Sequence, residues 1–221
     1  MRKYFLFSIA SLFLSSVFSQ SKDLPTLENL KGRVPNLKDT ALVNCLNLIA
    51  YNFDITGFGP EPADFIRRSD SIFRYANWAF EAAKKINYKK GTVDGLNQLA
   101  NSENIKRFGL RRANQNDSAS RAMQAKYVLE AIAIAEKINY DDGLGNAYYV
   151  WPTGDRDDTS YYFKKALPYL QKSGNEKTEG EVCTWIAEGY LSTGYYEKAF
   201  EYCQRGLILN HKTVNGARTK E

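Results

Sequence analysis

Two stretches of this chain nearly coincide. One reads Ala82-Ala83-Lys84-Lys85-Ile86-Asn87-Tyr88-Lys89-Lys90-Gly91, the other Ile134-Ala135-Glu136-Lys137-Ile138-Asn139-Tyr140-Asp141-Asp142-Gly143. The shared Lys-Ile-Asn-Tyr-x-x-Gly starts at positions 85 and 137, 52 residues apart. Each copy follows an alanine-rich run, 75–86 and 127–138, that reads as a helix. Self-similarity at such a period marks a repeat architecture, because one supersecondary unit cannot bury its apolar face alone and must stack on its neighbours.

The clearest unit spans 181–210. Its first half carries Ile186-Ala187 and then Tyr190, its turn is Thr193-Gly194-Tyr195-Tyr196, and its second half carries Ala199 and Gly206. Two short antiparallel helices approach closely only where small side chains meet. Ala187, Ala199 and Gly206 are therefore expected at the crossing, with Tyr190 and Leu207 filling the groove beside it. Earlier units bear the same marks. The segment 144–149 pairs with 158–170 and has Ala166 in the small slot. The segment 91–100 pairs with 119–138 (Ala131), and 40–53 with 70–86 (Ala79). These slots fall at 79, 131, 166 and 206, an irregular spacing.

The 181–210 unit resembles the tetratricopeptide repeat (TPR). That family's pattern wants the residue types found here at Ile186, Ala187, Tyr190, Gly194, Ala199 and Gly206. Cys183 departs from it where the family often has Trp, and His211 where it often has Pro. The expected fold is all-α, an α-solenoid of about four irregular TPR-like hairpins over 39–211. A lead-in, 20–38, precedes them, and 212–221 forms a tail or the start of a further repeat. Three segments are expected to interrupt the pattern: the Gly/Pro loop 56–62, the polar and basic stretch 101–120, and the tail.

Residues 1–19 read as a secretory signal peptide. Arg2 and Lys3 precede an apolar run from Tyr4 to Val17, and Val17-Phe18-Ser19 fits signal-peptidase cleavage before Gln20. The run is too short to span a bilayer, and nothing later approaches membrane-span length. The expected location is the periplasm, or outside a Gram-negative cell. The formal charge of +5 is too small and too scattered for a nucleic-acid-binding face.

No HExxH, CxxC, GxSxG, P-loop or GxGxxG is present. His211 is the single histidine and has no metal-spaced partner. Asp155, Asp157 and Asp158 lack the glycine and glutamate of a calcium loop and read as a helix start. The basic cluster Lys106, Arg107, Arg111 and Arg112 reads as a solvated helix face or inter-repeat loop. Cys183 and Cys203 are expected as packed thiols, with a disulfide between them as the alternative. No catalytic residue, cofactor or metal site is expected.

The resemblance implies a groove lined by the first helix of each hairpin and used to bind a protein or peptide. Carried over by register, the lining comprises Asn139, Asp142, Asn146 and Tyr149, then Glu181, Thr184, Trp185, Glu188 and Ser192. Asp142, Glu181 and Glu188 would make it acidic and suited to a basic or amine-bearing ligand. The expected function is a non-enzymatic scaffold. The chain also resembles the exported N-terminal TPR region of Bacteroidetes-type sensor histidine kinases and regulators. The alternative role is therefore sensory input to a membrane helix and output domain beyond Glu221.

Overall fold

In the computed structural model, residues 26–55, 59–151 and 156–216 are described. They form a short capping helix α1 (Leu27–Arg33), a 3-10 turn (Val34–Asn36), and helices α2 (Asp39–Ile55), α3 (Pro62–Lys85), α4 (Lys89–Arg112) and α5 (Ser118–Lys137). Then come α6 (Asp141–Tyr149), α7 (Arg156–Ser173), α8 (Glu176–Ser192) and α9 (Tyr196–Gly216), with no strand among the described residues. The fold is all-α. Four hairpins, α2–α3, α4–α5, α6–α7 and α8–α9, follow one another, and every helix packs on the next. The first helices also touch across hairpins, α2 on α4 and α4 on α6, as in a solenoid. The expected leader 1–19, residues 152–155 of the expected turn and the tail after Gly216 lie outside the described residues.

The repeated motif ends one helix and starts the next. Asn87 and Asn139 adopt left-handed backbone, φ 54° and 51°. This turns the chain so that Tyr88 N–H reaches back to Ala83 O at 2.8 Å, and Tyr140 N–H to Ala135 O at 2.9 Å. Such a bond satisfies a carbonyl that the helix end would otherwise leave open. The same cap closes α4 at Asn114, α7 at Gly174 and α8 at Gly194. One local device thus serves five helix ends.

Inner and outer helices bury different amounts. The outer α3 buries a narrow seam of Ser69, Ile72, Ala76, Ala79 and Ala83, and α5 matches it with Ser120, Gln124, Val128, Ala131 and Ala135. The inner α4 is sandwiched, burying residues on several faces from Gly91 to Gly109. A Cβ at Gly95 or Gly109 would lie about 3 Å from backbone or Cβ atoms of Phe80, Phe65 and Pro62, so those glycines set how closely the second hairpin seats on the first. Ala79, Ala131 and Ala166 are fully buried, as the small-slot reading expects. Gly206 is buried too, where an added Cβ would meet Thr184 Oγ1 at 2.9 Å and Gly180 O at 3.0 Å.

Three sequence expectations need correction. Residues 101–112 do not interrupt the array; they complete α4. Their three arginines are structural. Arg107, 3% exposed, donates to Asp117 at 2.9 Å and to Gln124 at 2.6 Å, while Gln124 donates to Val150 O at 2.8 Å. Arg111 binds Asp117 as well, and Arg112 bonds Pro60 O and lies over Phe65. Secondly, Leu207 is not groove filling but 57% exposed. Tyr190 is half-buried against Tyr202 and Tyr195. Thirdly, Cys203 is not packed between the helices. It is an exposed free thiol, whereas Cys183 is free and fully buried, and burial pushes the Cys183 thiol up to about 11. Lead-in residues 27–33 add an unexpected helix. Leu30 on α1 closes over Cys45 and Ile49 of α2 and covers the first end of the stack.

Candidate functional site

The first helices are tied to one another by side chains that reach into the next helix's opening turn. Asn47 of α2 donates to Gly91 O at 3.5 Å, and Asn97 of α4 donates to Gly143 O at 3.0 Å. These rungs are counterparts in successive hairpins and land on the two glycines of the repeated motif. The next junction uses other groups. Asn175 donates to Asp142 at 2.6 Å, and Thr178 donates to Asn146 at 3.4 Å.

Held in this way, the four first helices converge on one polar cluster. Tyr51 and Asp54 come from α2, Asn101 from α4, Tyr149 from α6, and Lys177, Glu181 and Trp185 from α8. Tyr149 donates its hydroxyl to Glu181 Oε2 at 3.1 Å, and Trp185 lies beside the Tyr149 oxygen. Asn101 lies beside the Asp54 carboxyl and favours its ionised form. Lys177 Nζ sits 4.2 Å from the Tyr51 ring centre, bringing the last hairpin to the first. Phe163 stacks on Trp185 from the side, at 6.2 Å between centres.

The electrostatics follow from withdrawal of water. Burial raises both the Asp54 and the Glu181 carboxyl above the ordinary carboxylate range, and repulsion from Asp54 adds to the rise at Glu181. Burial lowers the Lys177 ammonium, which the Glu181 charge partly restores. Burial also raises Tyr149. Arg68, whose Nε is buried without a partner, stands near Asp54 and favours its ionised form. The cluster holds two penalised carboxyls, Glu181 with Lys177 as its cation and Asp54 with Arg68, and a further cation would relieve the same penalty.

A smaller acidic pair lies at the opening turns. Tyr140 bridges Asp94 at 3.0 Å and Asp142 at 3.4 Å. Burial, then repulsion from Asp142, pushes Asp94 up to about 7, against the help of Tyr140 and Lys90. A carboxyl raised in the fold favours the folded state most at acid pH, and stability falls as pH climbs from about 4 to about 7. Asp94→Asn is expected to remove that slope, a difference of roughly 2–4 kcal/mol between the two pH limits. Urea midpoints at stepped pH would measure it, and parallel curves for the two proteins would refute it.

The residues expected from sequence to line the groove meet different fates. Tyr149, Glu181 and Trp185 join the cluster. Asp142 and Asn146 serve the junction between hairpins. Asn139 is the left-handed helix cap. Thr184 bonds Gly180 O and faces Gly206 of α9. Ser192 bonds Gly189 O at the helix end, and Glu188 is exposed. Tyr51, Asp54, Asn101 and Lys177 were not expected. The sole hint is that each occupies a first helix, one turn or less from a buried apolar or small residue. Among the described residues, no three His, Cys, Asp or Glu side chains are grouped to hold a metal ion. No described helix is long and apolar enough to cross a membrane.

No family model matches the chain, and no curated protein matches it. Among solved structures, it is similar to a chain described as "DHF58 filament". That chain is 13% identical and aligns over 96% of this chain and 98% of its own, with a TM-score of 0.30.

Proposed function

We propose that this protein is a non-enzymatic, TPR-type scaffold, exported from the cytoplasm, that captures a protein or peptide by a cationic group in the groove of its first helices. The observation that carries the reading is the cluster of Asp54, Asn101, Tyr149 and Glu181, to which all four hairpins contribute. Two half-desolvated carboxyls are costly without a cation. Lys177 and Arg68 answer part of that cost, and an arriving ammonium or guanidinium answers more. Trp185, 45% exposed, offers a ring face beside the carboxyls for the same cation.

The test is fluorescence anisotropy with labelled Lys- and Arg-bearing peptides against acidic ones of equal length. Basic peptides should bind better, and binding should tighten as pH rises through the raised titration range of the two carboxyls. The double variant Asp54→Asn/Glu181→Gln should weaken that binding about 10–100-fold, within the range for a desolvated charge contact. Equal affinity of parent and double variant for basic peptides would end the proposal.

A further inference from the structure

The two ends of the stack are unlike. At the first end α1 covers α2. At the other, α9 carries an uncovered apolar stripe of Tyr196, Phe200, Cys203 and Leu207, spaced four, three and four residues apart. Three of these are 68%, 66% and 57% exposed, and Cys203 is exposed also. Two positions of the stripe, Cys203 and Leu207, have counterparts in every earlier hairpin. Three residues before and one after the buried small slot, α3 has Ala76 and Phe80, α5 has Val128 and Ile132, and α7 has Phe163 and Leu167. Ala76, Val128 and Leu167 are buried, while Phe80, Ile132 and Phe163 pack into the clusters that the next hairpin completes. The matching positions of α9 are Cys203 and Leu207. At these two positions the stacking surface is repeated, and no described residue sits on it.

We infer that this stripe is a homodimer interface, on which α9 of a second copy packs antiparallel about a two-fold axis. An isologous contact needs a surface that complements itself. An axis midway between residues 201 and 202 meets that need. It sets Tyr196 against the partner's Leu207 and Phe200 against the partner's Cys203, so each ring faces a smaller side chain. None of the four stripe residues is charged, so the seam itself suits an equally apolar face, with Glu197 and Glu201 exposed at its edge. Helix α9 runs 21 residues, about 30 Å. Pairing two such faces, with Leu191 and Tyr195 exposed beside them at the turn, buries about 1,200 Å² in total, the lower bound for a stable dimer. Association in the micromolar range is expected.

The chain from Gln20 onward, the expected mature form, is used for the test so that the apolar leader plays no part. Sedimentation across the micromolar range should show a concentration-dependent dimer. Cys45 and Cys183 are buried, so a maleimide should label Cys203 readily in dilute protein and slowly at concentrations where the dimer covers it. Leu207→Glu should weaken dimerisation at least about tenfold by placing a charge in the seam, with helical circular dichroism unchanged because Leu207 is exposed in the monomer. A monomer at all concentrations overturns the inference and leaves the stripe to a helix of another protein. So does a dimer that survives Leu207→Glu or leaves Cys203 labelling unslowed.

Discussion

Alanine at both Gly91 and Gly143 is expected to destabilise the protein by about 5 kcal/mol, shared nearly equally between the two sites. The two glycines have the same surroundings. An added Cβ at Gly91 would lie 2.5 Å from Tyr88 Cδ1 and 2.6 Å from Val43 Cγ1; at Gly143 it would lie 2.5 Å from Tyr140 Cδ1 and 2.6 Å from Val93 Cγ1. Little can give way. Tyr140 is tethered through its hydroxyl to Asp94 and Asp142. Val43 and Val93 are fully buried on the preceding first helix. The backbone must shift, and with it the Asn47 and Asn97 rungs that end on these glycines. Each single variant should lose about 2–3 kcal/mol, and the melting midpoint of the double variant should fall by roughly 10–20 °C. Gly32→Ala is the control. It sits on α1 with nothing within 4 Å of an added Cβ and should gain about 0.5–1 kcal/mol through the unfolded chain. A double variant within 1 kcal/mol of the parent in urea would show that the repeated glycines are not there for close approach.

Arg107→Met should cost about 3–5 kcal/mol, as does breaking a buried charged network by removing one member. The guanidinium joins the end of α4 to Asp117 ahead of α5 and to Gln124 within it, and Gln124 passes the link to Val150 at the end of α6. Gln124 is fully buried, so its oxygen would lose its donor where water cannot replace it. Arg107→Lys should restore little, since one ammonium cannot reproduce the planar fork that reaches two acceptors. Arg111→Met makes the contrast. Its side chain is 48% exposed on the same Asp117, and its loss should cost under about 1 kcal/mol. Urea unfolding of the three variants decides the matter, and equal costs at positions 107 and 111 would sink it.

The proposed groove and the proposed dimer draw on different parts of the molecule. The cluster is formed by the inner helices and reads out by charge and pH. The stripe belongs to α9 alone and reads out by concentration. Asp54→Asn/Glu181→Gln should leave the dimer intact, and Leu207→Glu should leave peptide binding intact.

The all-α class, the hairpins and their small-residue crossings were legible in the sequence because each is decided within a few turns of chain. Asn87 and Asn139 end helices by local backbone geometry, and Ala79, Ala131 and Ala166 mark contacts inside one hairpin. Much of the site was not legible. Tyr51 and Lys177 lie in the first and last hairpins, and their meeting depends on how sharply four units curve, which no local pattern encodes. The basic run at 106–112 looked solvated because its partners lie outside its own helix, Asp117 and Gln124 across the α4–α5 turn and Val150 in the next hairpin. Leu207 and Cys203 carry the apolar character of buried positions and yet lie exposed. Side-chain chemistry specifies a surface made to be covered, whereas burial depends on whether another helix arrives, and only the tertiary arrangement settles that.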